Sequence, residues 1–212
     1  IVIIAPSIDF TGTEAGKTEL CFGSSTTLFG VAESTQLEDC APEIFEEIWL
    51  QDTQTTGSGV SYESTISVEC YADGLEFSDI SQLLQICVVM EHSYLGDLDI
   101  LLTAPNGESV YFAQYGTGAA GSYLGIPVTS TDGIPGEGFE YCFTPTSTND
   151  LATTGGTAIP AGTYGALNGS SFNNLLGTSL NGDWTFIIID SWEIDDGTIF
   201  SWNLDFDPAL SA

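Results

Sequence analysis

The sequence predicts an all-β chain, an antiparallel β-sandwich of jelly-roll type with extra strands at its N-terminal end. Three observations predict it. Short stretches rich in β-branched and aromatic residues recur along the chain, clusters of Gly, Pro, Asn and Asp separate them, and apolar and polar residues alternate within them.

In order, the expected strands are STISVEC (64–70), QICVVMEH (85–92), DLDILLTA (97–104), SVYFAQY (109–115), FEYCFTP (139–145), DWTFIIID (183–190) and TIFSWNLDF (198–206). At the last of these, Trp202, Leu204 and Phe206 face one way while Asn203, Asp205 and Asp207 face the other. The run FIII at 186–189 reads as a strand buried on both faces. In GDLDILLTAPNG (96–107), Leu98, Ile100 and Leu102 form a core face, Asp97 and Asp99 take the alternate positions, and Pro-Asn-Gly ends the strand. Helical patterning is thin. Only 41–51 and 77–85 could hold a turn or two, and 41–51 reads equally well as a strand. The loops 116–138 and 144–163 are long enough to suggest a function or a special anchorage.

The 212 residues suffice for one large domain or two small ones. The expected organisation is a β region over 1–56, packed on or exchanged with the core, followed by a sandwich over 57–212. Thirty acidic residues stand against one base, Lys17, for a net charge of −29. Nucleic acid is thereby excluded as a partner, because phosphate binding needs Lys or Arg to release counterions. Anionic membrane surfaces are excluded on the same ground, and no apolar run of about 18 residues offers a span. Bound divalent cations or a saline habitat would screen the self-repulsion; a plain solubility adaptation explains the acidity equally well. The opening IVIIAPSIDF (1–10) has no Met, which suggests processing for export and an extracellular or cell-surface location.

Outside a cell, five cysteines imply two disulfides and a thiol. Cys70 shares a face with Ile66 and Val68 and reads as a buried thiol. Cys87 and Cys142 point to the more polar faces of their strands and can bridge if those strands are neighbours. Cys21 and Cys40 would close a local loop worth roughly 3 kcal/mol on the chain-entropy model.

Clustered carboxylates suggest two chemistries. Glycosidase-like acid/base work needs a pair of them, and nucleophilic catalysis needs a nucleophile beside a base, which cannot be assembled around the single histidine. No catalytic residue is assigned, and the chain is expected not to be an enzyme. Calcium takes about 6–8 oxygen ligands. Two loops are rich in them: Gly96, Asp97 and Asp99 in one, Asp190, Glu193, Asp195 and Asp196 in the other. If the fold brings both loops to one end of the sandwich, their carboxylates repel unless a cation lies between them. The alternative is that Asp97 and Asp190 only accept backbone amide bonds in their turns. Calcium is the expected cofactor and Asp97, Asp99, Asp190, Glu193, Asp195 and Asp196 the expected ligands, although their spacing matches neither an EF-hand nor a nonapeptide repeat.

HSYLGDLDILLTAPNG (92–107), followed by LNGDWTFIIIDSWEIDDGTIFSWNLDF (180–206), resembles the P domain (Homo B domain) of proprotein convertases, over about 61–208. The resemblance implies a jelly-roll sandwich that follows and stabilises a subtilisin-like protease domain, and that also occurs without a protease in bacterial secreted and surface proteins. His92 then occupies a motif position and is expected to be structural. The favoured expectation is a non-catalytic structural or adhesive module of a bacterial surface protein, calcium-loaded, whose partners are copies of itself or other surface proteins. The alternative is the stabilising C-terminal domain of a secreted subtilisin-like protease; carbohydrate binding rests on fold analogy alone. Residues 1–4 are apolar on both faces and must be buried, either in their own domain or as a strand donated to the next copy, which would build a filament.

Overall fold

The computed structural model describes residues 8–9, 14–15, 22, 28–29, 33–34, 40–50, 59–128, 133–154, 156–192 and 194–211. Contacts divide the chain into two compact units, Ile1–Asp39 and Cys40–Ala212. In the first, β1 (Ile8–Asp9) pairs antiparallel with β4 (Glu33–Ser34), and β2 (Glu14–Ala15) with β3 (Leu28–Phe29). Of the apolar opening stretch only Ile8–Asp9 are described, so the expected docking or donation of 1–4 lies outside the described residues.

The second unit is a β-sandwich. One sheet has the order β6 (Val60–Val68), β14 (Gly182–Asp190), β8 (Leu98–Thr103) and β9 (Ser109–Ala113), antiparallel throughout. The other runs β5 (Ile44–Leu50), β15 (Gly197–Phe206), β7 (Leu83–His92), β11 (Phe139–Phe143) and β13 (Gly162–Tyr164). At the end of β7, β10 (Tyr123–Leu124) pairs with His92 and carries β12 (Ala158–Ile159). The short outer pairs β11–β13 and β10–β12 are parallel, an exception to the expected antiparallel pattern.

The core fills the space between the sheets. Ile86, Val88 and Met90 of β7 and Trp184, Phe186 and Ile188 of β14 are at most 1% exposed. Aromatic stacks join the layers: Phe186 on Trp202 at 5.3 Å, and Phe112 on Phe143 at 3.9 Å. The indole Nε1 of Trp202 donates to Ser64 Oγ at 2.9 Å, so a buried polar group is satisfied across the sandwich. Trp202, Leu204 and Phe206 share the inner face as expected. Ile199 and Trp202 are three residues apart yet both buried, because the register of β15 with its two neighbours shifts between Ile199 and Ser201. A bulge there supplies the extra residue that strict alternation would forbid.

Several local expectations change. Ile187 and Ile189 are only half-buried, so 186–189 is not buried on both faces; the outer face of its sheet also carries Glu63, Thr65 and Asp183 and is polar. Residues 77–85 hold one 3-10 turn, Ile80–Gln82, capped by the Asp79 side chain on Ser81 N, before β7 begins. The ambiguous 41–51 segment is strand β5, paired with β15. Helices this short are poorly stable on their own, and sheet pairing outcompetes them. The disulfides are Cys40–Cys70 and Cys87–Cys142. The second joins directly opposed residues of β7 and β11. The first replaces the expected Cys21–Cys40 bridge and the expected buried Cys70 thiol: Cys70 lies two residues beyond β6, where strand alternation no longer sets its direction, and it is exposed. Cys21 lies outside the described residues.

No helix among the described residues is long and apolar enough to cross a membrane. Phe186→Ala should cost about 3–5 kcal/mol in urea unfolding, because it opens a cavity under Trp202. Thr185→Ala, one residue away on the outer face, should cost about 1 kcal/mol or less through loss of its 2.9 Å bond to Thr65. Equal losses would contradict the layering.

Candidate functional site

The inward alternation of β7 and β14 runs one step past the apolar core, to His92 and Asp190. Both side chains are fully buried, and His92 Nε2 lies 3.3 Å from Asp190 Oδ2. His92 Nδ1 lies 3.1 Å from the Tyr94 N–H and 3.0 Å from the Tyr94 carbonyl, while Nε2 faces the Asp190 carboxylate. Asp190 Oδ1 accepts from Trp192 N at 3.1 Å, so both its oxygens are engaged. Gly197 faces the imidazole: a Cβ there would stand 2.6 Å from His92 Cδ2, which accounts for the glycine after the double aspartate.

Asp97 stands beside this pair. It ends the 3-10 turn Leu95–Asp97 rather than opening β8, so it does not alternate with Asp99 on one strand. Its carbonyl accepts from Ser191 N at 3.0 Å, which fixes the turn to the end of β14. The residue is 5% exposed, and its Oδ2 is buried with no hydrogen-bond partner. Burial, reinforced by the neighbouring Asp195 charge and offset in part by His92, pushes its carboxyl up to about 7.

Ser93 ties the second loop down. Its hydroxyl donates to Asp195 Oδ1 at 3.2 Å and to the Asp196 carbonyl at 3.2 Å, and its N–H donates to the same carbonyl at 3.0 Å. Asp195 is thereby brought within hydrogen-bonding reach of the Asp97 carboxyl. Of the residues expected from sequence, Asp97, Asp190 and Asp195 come together and Asp196 anchors the same loop through its backbone. Asp99 faces elsewhere, where its Oδ1 accepts from Tyr115 N at 3.1 Å and orders the next loop. Glu193 lies outside the described residues.

Asp97 and Asp195 open into a cleft of about 440 Å³ walled by Tyr94, Tyr115, Thr117 and Trp192. Gly96 also lines it, and a Cβ there would meet Tyr94 Cε1 at 2.6 Å and the Thr117 carbonyl at 3.3 Å. Two carboxylates, one of them with a buried oxygen that has no hydrogen-bond partner, together with the Thr117 carbonyl beside Gly96 are oxygen donors of the kind hard cations take. Sequence alone gives no sign of the aromatic walls, because Tyr94 and Trp192 read as parts of a motif and Tyr115 as the end of a strand.

No known protein family matches the chain, and no curated protein matches it. Among solved structures, the chain is similar to a serine protease of Aeromonas sobria at 15% identity and TM-score 0.33, over 77% of this chain and 26% of that one. It is similar at 14% identity and TM-score 0.32 to the same protease in complex with its chaperone ORF2, over 79% of this chain and 27% of that one. The chain thus spans about a quarter of the length of either, at 26% and 27%.

The site makes a prediction for chelator-treated protein. The folded chain holds the Asp97 proton up to about 7, whereas the unfolded chain releases it near 3.8. Between those values the native state binds the extra proton, so stability falls as pH rises through that window. Asp97→Asn, which cannot titrate, should flatten this part of a urea-stability-against-pH curve; parallel curves for variant and wild type would refute the assignment.

Proposed function

We propose that the second unit is a non-catalytic, calcium-stabilised β-sandwich module of an extracellular protein, working as a structural or adhesive element. The observation that carries this reading is the Asp97 carboxylate: buried, with Oδ2 unpartnered, and facing Asp195 in an acidic cleft. Leaving such a group unpaired costs about 1–3 kcal/mol or more, and a second carboxylate beside it adds repulsion. A divalent cation removes both costs. Asp97 and Asp195 would be the side-chain ligands, with Thr117 offering its carbonyl, while Asp190 orients His92 from behind.

Catalysis is disfavoured by the way His92 is used. Both ring nitrogens are engaged, by Tyr94 and by Asp190, and among the described residues no hydroxyl or thiol is bonded to the imidazole. The two disulfides suit an oxidising compartment, as does the nearly lysine-free acidic composition for a chain exposed outside a cell. The order of motifs from His92 to Phe206 equally suits the stabilising C-terminal domain of a secreted subtilisin-like protease, and in that role the calcium would serve the same purpose. Association of copies through residues 1–10 belongs to the adhesive reading and rests on the apolar sequence of that stretch.

Thermal melts test the metal. With calcium about a hundredfold above its Kd, the Tm should rise by roughly 5 °C or more over chelator-treated protein, and Asp97→Asn should abolish the rise. Coincident curves with and without calcium would sink the proposal. Peptidase and glycosidase assays on the purified chain should show no turnover, and an activity lost in His92→Ala would overturn the non-catalytic reading.

A further inference from the structure

Asn-Gly occurs three times in the chain, at Asn106–Gly107, Asn168–Gly169 and Asn181–Gly182. Such a pair carries its own nucleophile. The amide nitrogen of the glycine can attack the side-chain carbonyl carbon of the asparagine, and glycine, with no Cβ, lets the backbone turn far enough for that approach. Sequence treats the three pairs alike; the structure does not.

Asn181 is held at both ends of its side chain: Oδ1 accepts from Tyr71 N at 3.0 Å and Nδ2 donates to the Tyr71 carbonyl at 2.9 Å. Gly182 opens β14 opposite Val68, and a Cβ there would meet Pro105 at 2.9 Å. At the first pair Asn106 Oδ1 accepts from Glu108 N at 3.0 Å, and the attacking nitrogen, Gly107 N, donates its proton to the Ala104 carbonyl at 2.8 Å. Asn168 has none of these restraints. It is exposed, and among the described residues neither its side-chain amide nor Gly169 N has a hydrogen-bond partner. The pair forms the centre of a turn closed by Ser170 N on the Leu167 carbonyl at 2.8 Å, with Gly169 at φ +94°, and no other part of the chain comes within 4 Å of where a Gly169 Cβ would lie.

The same turn guards the sandwich. β9 is the edge strand of its sheet, and this segment clamps it: Leu167 N donates to the Tyr111 carbonyl at 2.8 Å, and Tyr111 N donates to Ser170 Oγ at 2.9 Å. Asn168 N donates at 3.2 Å to Oδ2 of Asp150, which is 5% exposed.

We propose that Asn168 is a self-modification site, deamidating and isomerising through Gly169 without an enzyme, and that its conversion releases the clamp on β9. The Gly169 amide loses its proton to solvent base, its nitrogen bonds to Asn168 Cγ, and the Cγ–Nδ2 bond breaks with loss of ammonia, leaving a cyclic succinimide. Water then adds to one of the ring carbonyls. Attack at Cγ breaks the bond from Cγ to the Gly169 nitrogen and leaves aspartate. Attack at the main-chain carbonyl breaks the original peptide bond instead and leaves isoaspartate, whose backbone runs through the former side chain and is longer by a carbon. No electrons are exchanged, and water is the co-reactant. Either product places a carboxylate on the residue whose N–H serves Asp150, where like charges repel. The longer backbone no longer fits between the two contacts with Tyr111, and the Tyr111 amide and carbonyl become an open edge.

Ageing the full chain in warm, mildly alkaline buffer and mapping its chymotryptic peptides by mass spectrometry tests this, since Tyr164 and Phe172 bracket the Asn168 peptide. In the native protein Asn168 should convert roughly tenfold faster than Asn106 or Asn181, a difference of about 1.4 kcal/mol in barrier. In guanidinium chloride the three rates should come together, because only folded contacts separate them. Hydrogen exchange at the Tyr111 amide should speed up by roughly tenfold as isoaspartate accumulates. Neither change should occur in Asn168→Gln, whose longer side chain must close a larger ring. Equal rates at the three pairs in the native protein, or an intact Asn168 after Asn106 or Asn181 has converted, would overturn the site. Conversion of Asn168 with unchanged exchange at Tyr111 would overturn the release of β9.

Discussion

One buried contact sets the frame for everything at the functional end of this sandwich: the 3.3 Å approach of the His92 imidazole to the Asp190 carboxylate. Each residue comes from a different sheet, at the point where the inward alternation leaves the apolar core. A polar pair there ends the layer with a hydrogen-bond partner for each ring nitrogen and each carboxylate oxygen. It also fixes the positions of its neighbours. Tyr94, Trp192 and Gly197 contact one partner or the other, and through Ser93 and Ser191 the two loops are bonded to each other's ends. The acidic cleft is a product of that frame: the Ser191 N–H on the Asp97 carbonyl and the Ser93 hydroxyl on Asp195 Oδ1 bring the two carboxyls together and leave Asp97 Oδ2 without a partner.

Much of the fold was legible because strand alternation is a local signal. The faces of Trp202, Leu204 and Phe206 and of Cys87 and Cys142 follow from period two, and the bridge between the last two needed only that β7 and β11 be neighbours. Legibility ended wherever the period is interrupted or the partner is distant. The bulge of β15 at Phe200 changes phase without a glycine to announce it. Cys70 lies past the end of its strand, so the parity argument that made it a buried thiol had no basis there.

The same limit governs the site. Asp97 and Asp99 look equivalent two residues apart, but the first ends a 3-10 turn and the second sits in β8, and their roles diverge accordingly. His92 and Asp190 are 98 positions apart, and nothing local to either states that they meet. What sequence could supply was the inventory of carboxylates and the expectation that two loops share one end. Which of those carboxylates would be left without a partner depends on backbone amides contributed by Tyr115 and Trp192.

The Cys40–Cys70 bridge has a mechanical side. It joins the residue group just before β5, in one sheet, to the residues just after β6, in the other, and closes a loop of 30 positions. Tension entering the second unit from its N-terminal side passes through the sulfur atoms directly to Cys70. Residues 41–69, with both of those strands, are bypassed and carry none of the load. What resists is the remainder, where Phe206 at the C-terminal end of β15 pairs with Leu83 at the start of β7, so the points where the load enters and leaves lie at one end of the same antiparallel ladder and a pull opens it from that end one pair at a time. A module tethered at both ends would therefore open progressively from that end, with residues 41–69 still closed in the disulfide loop.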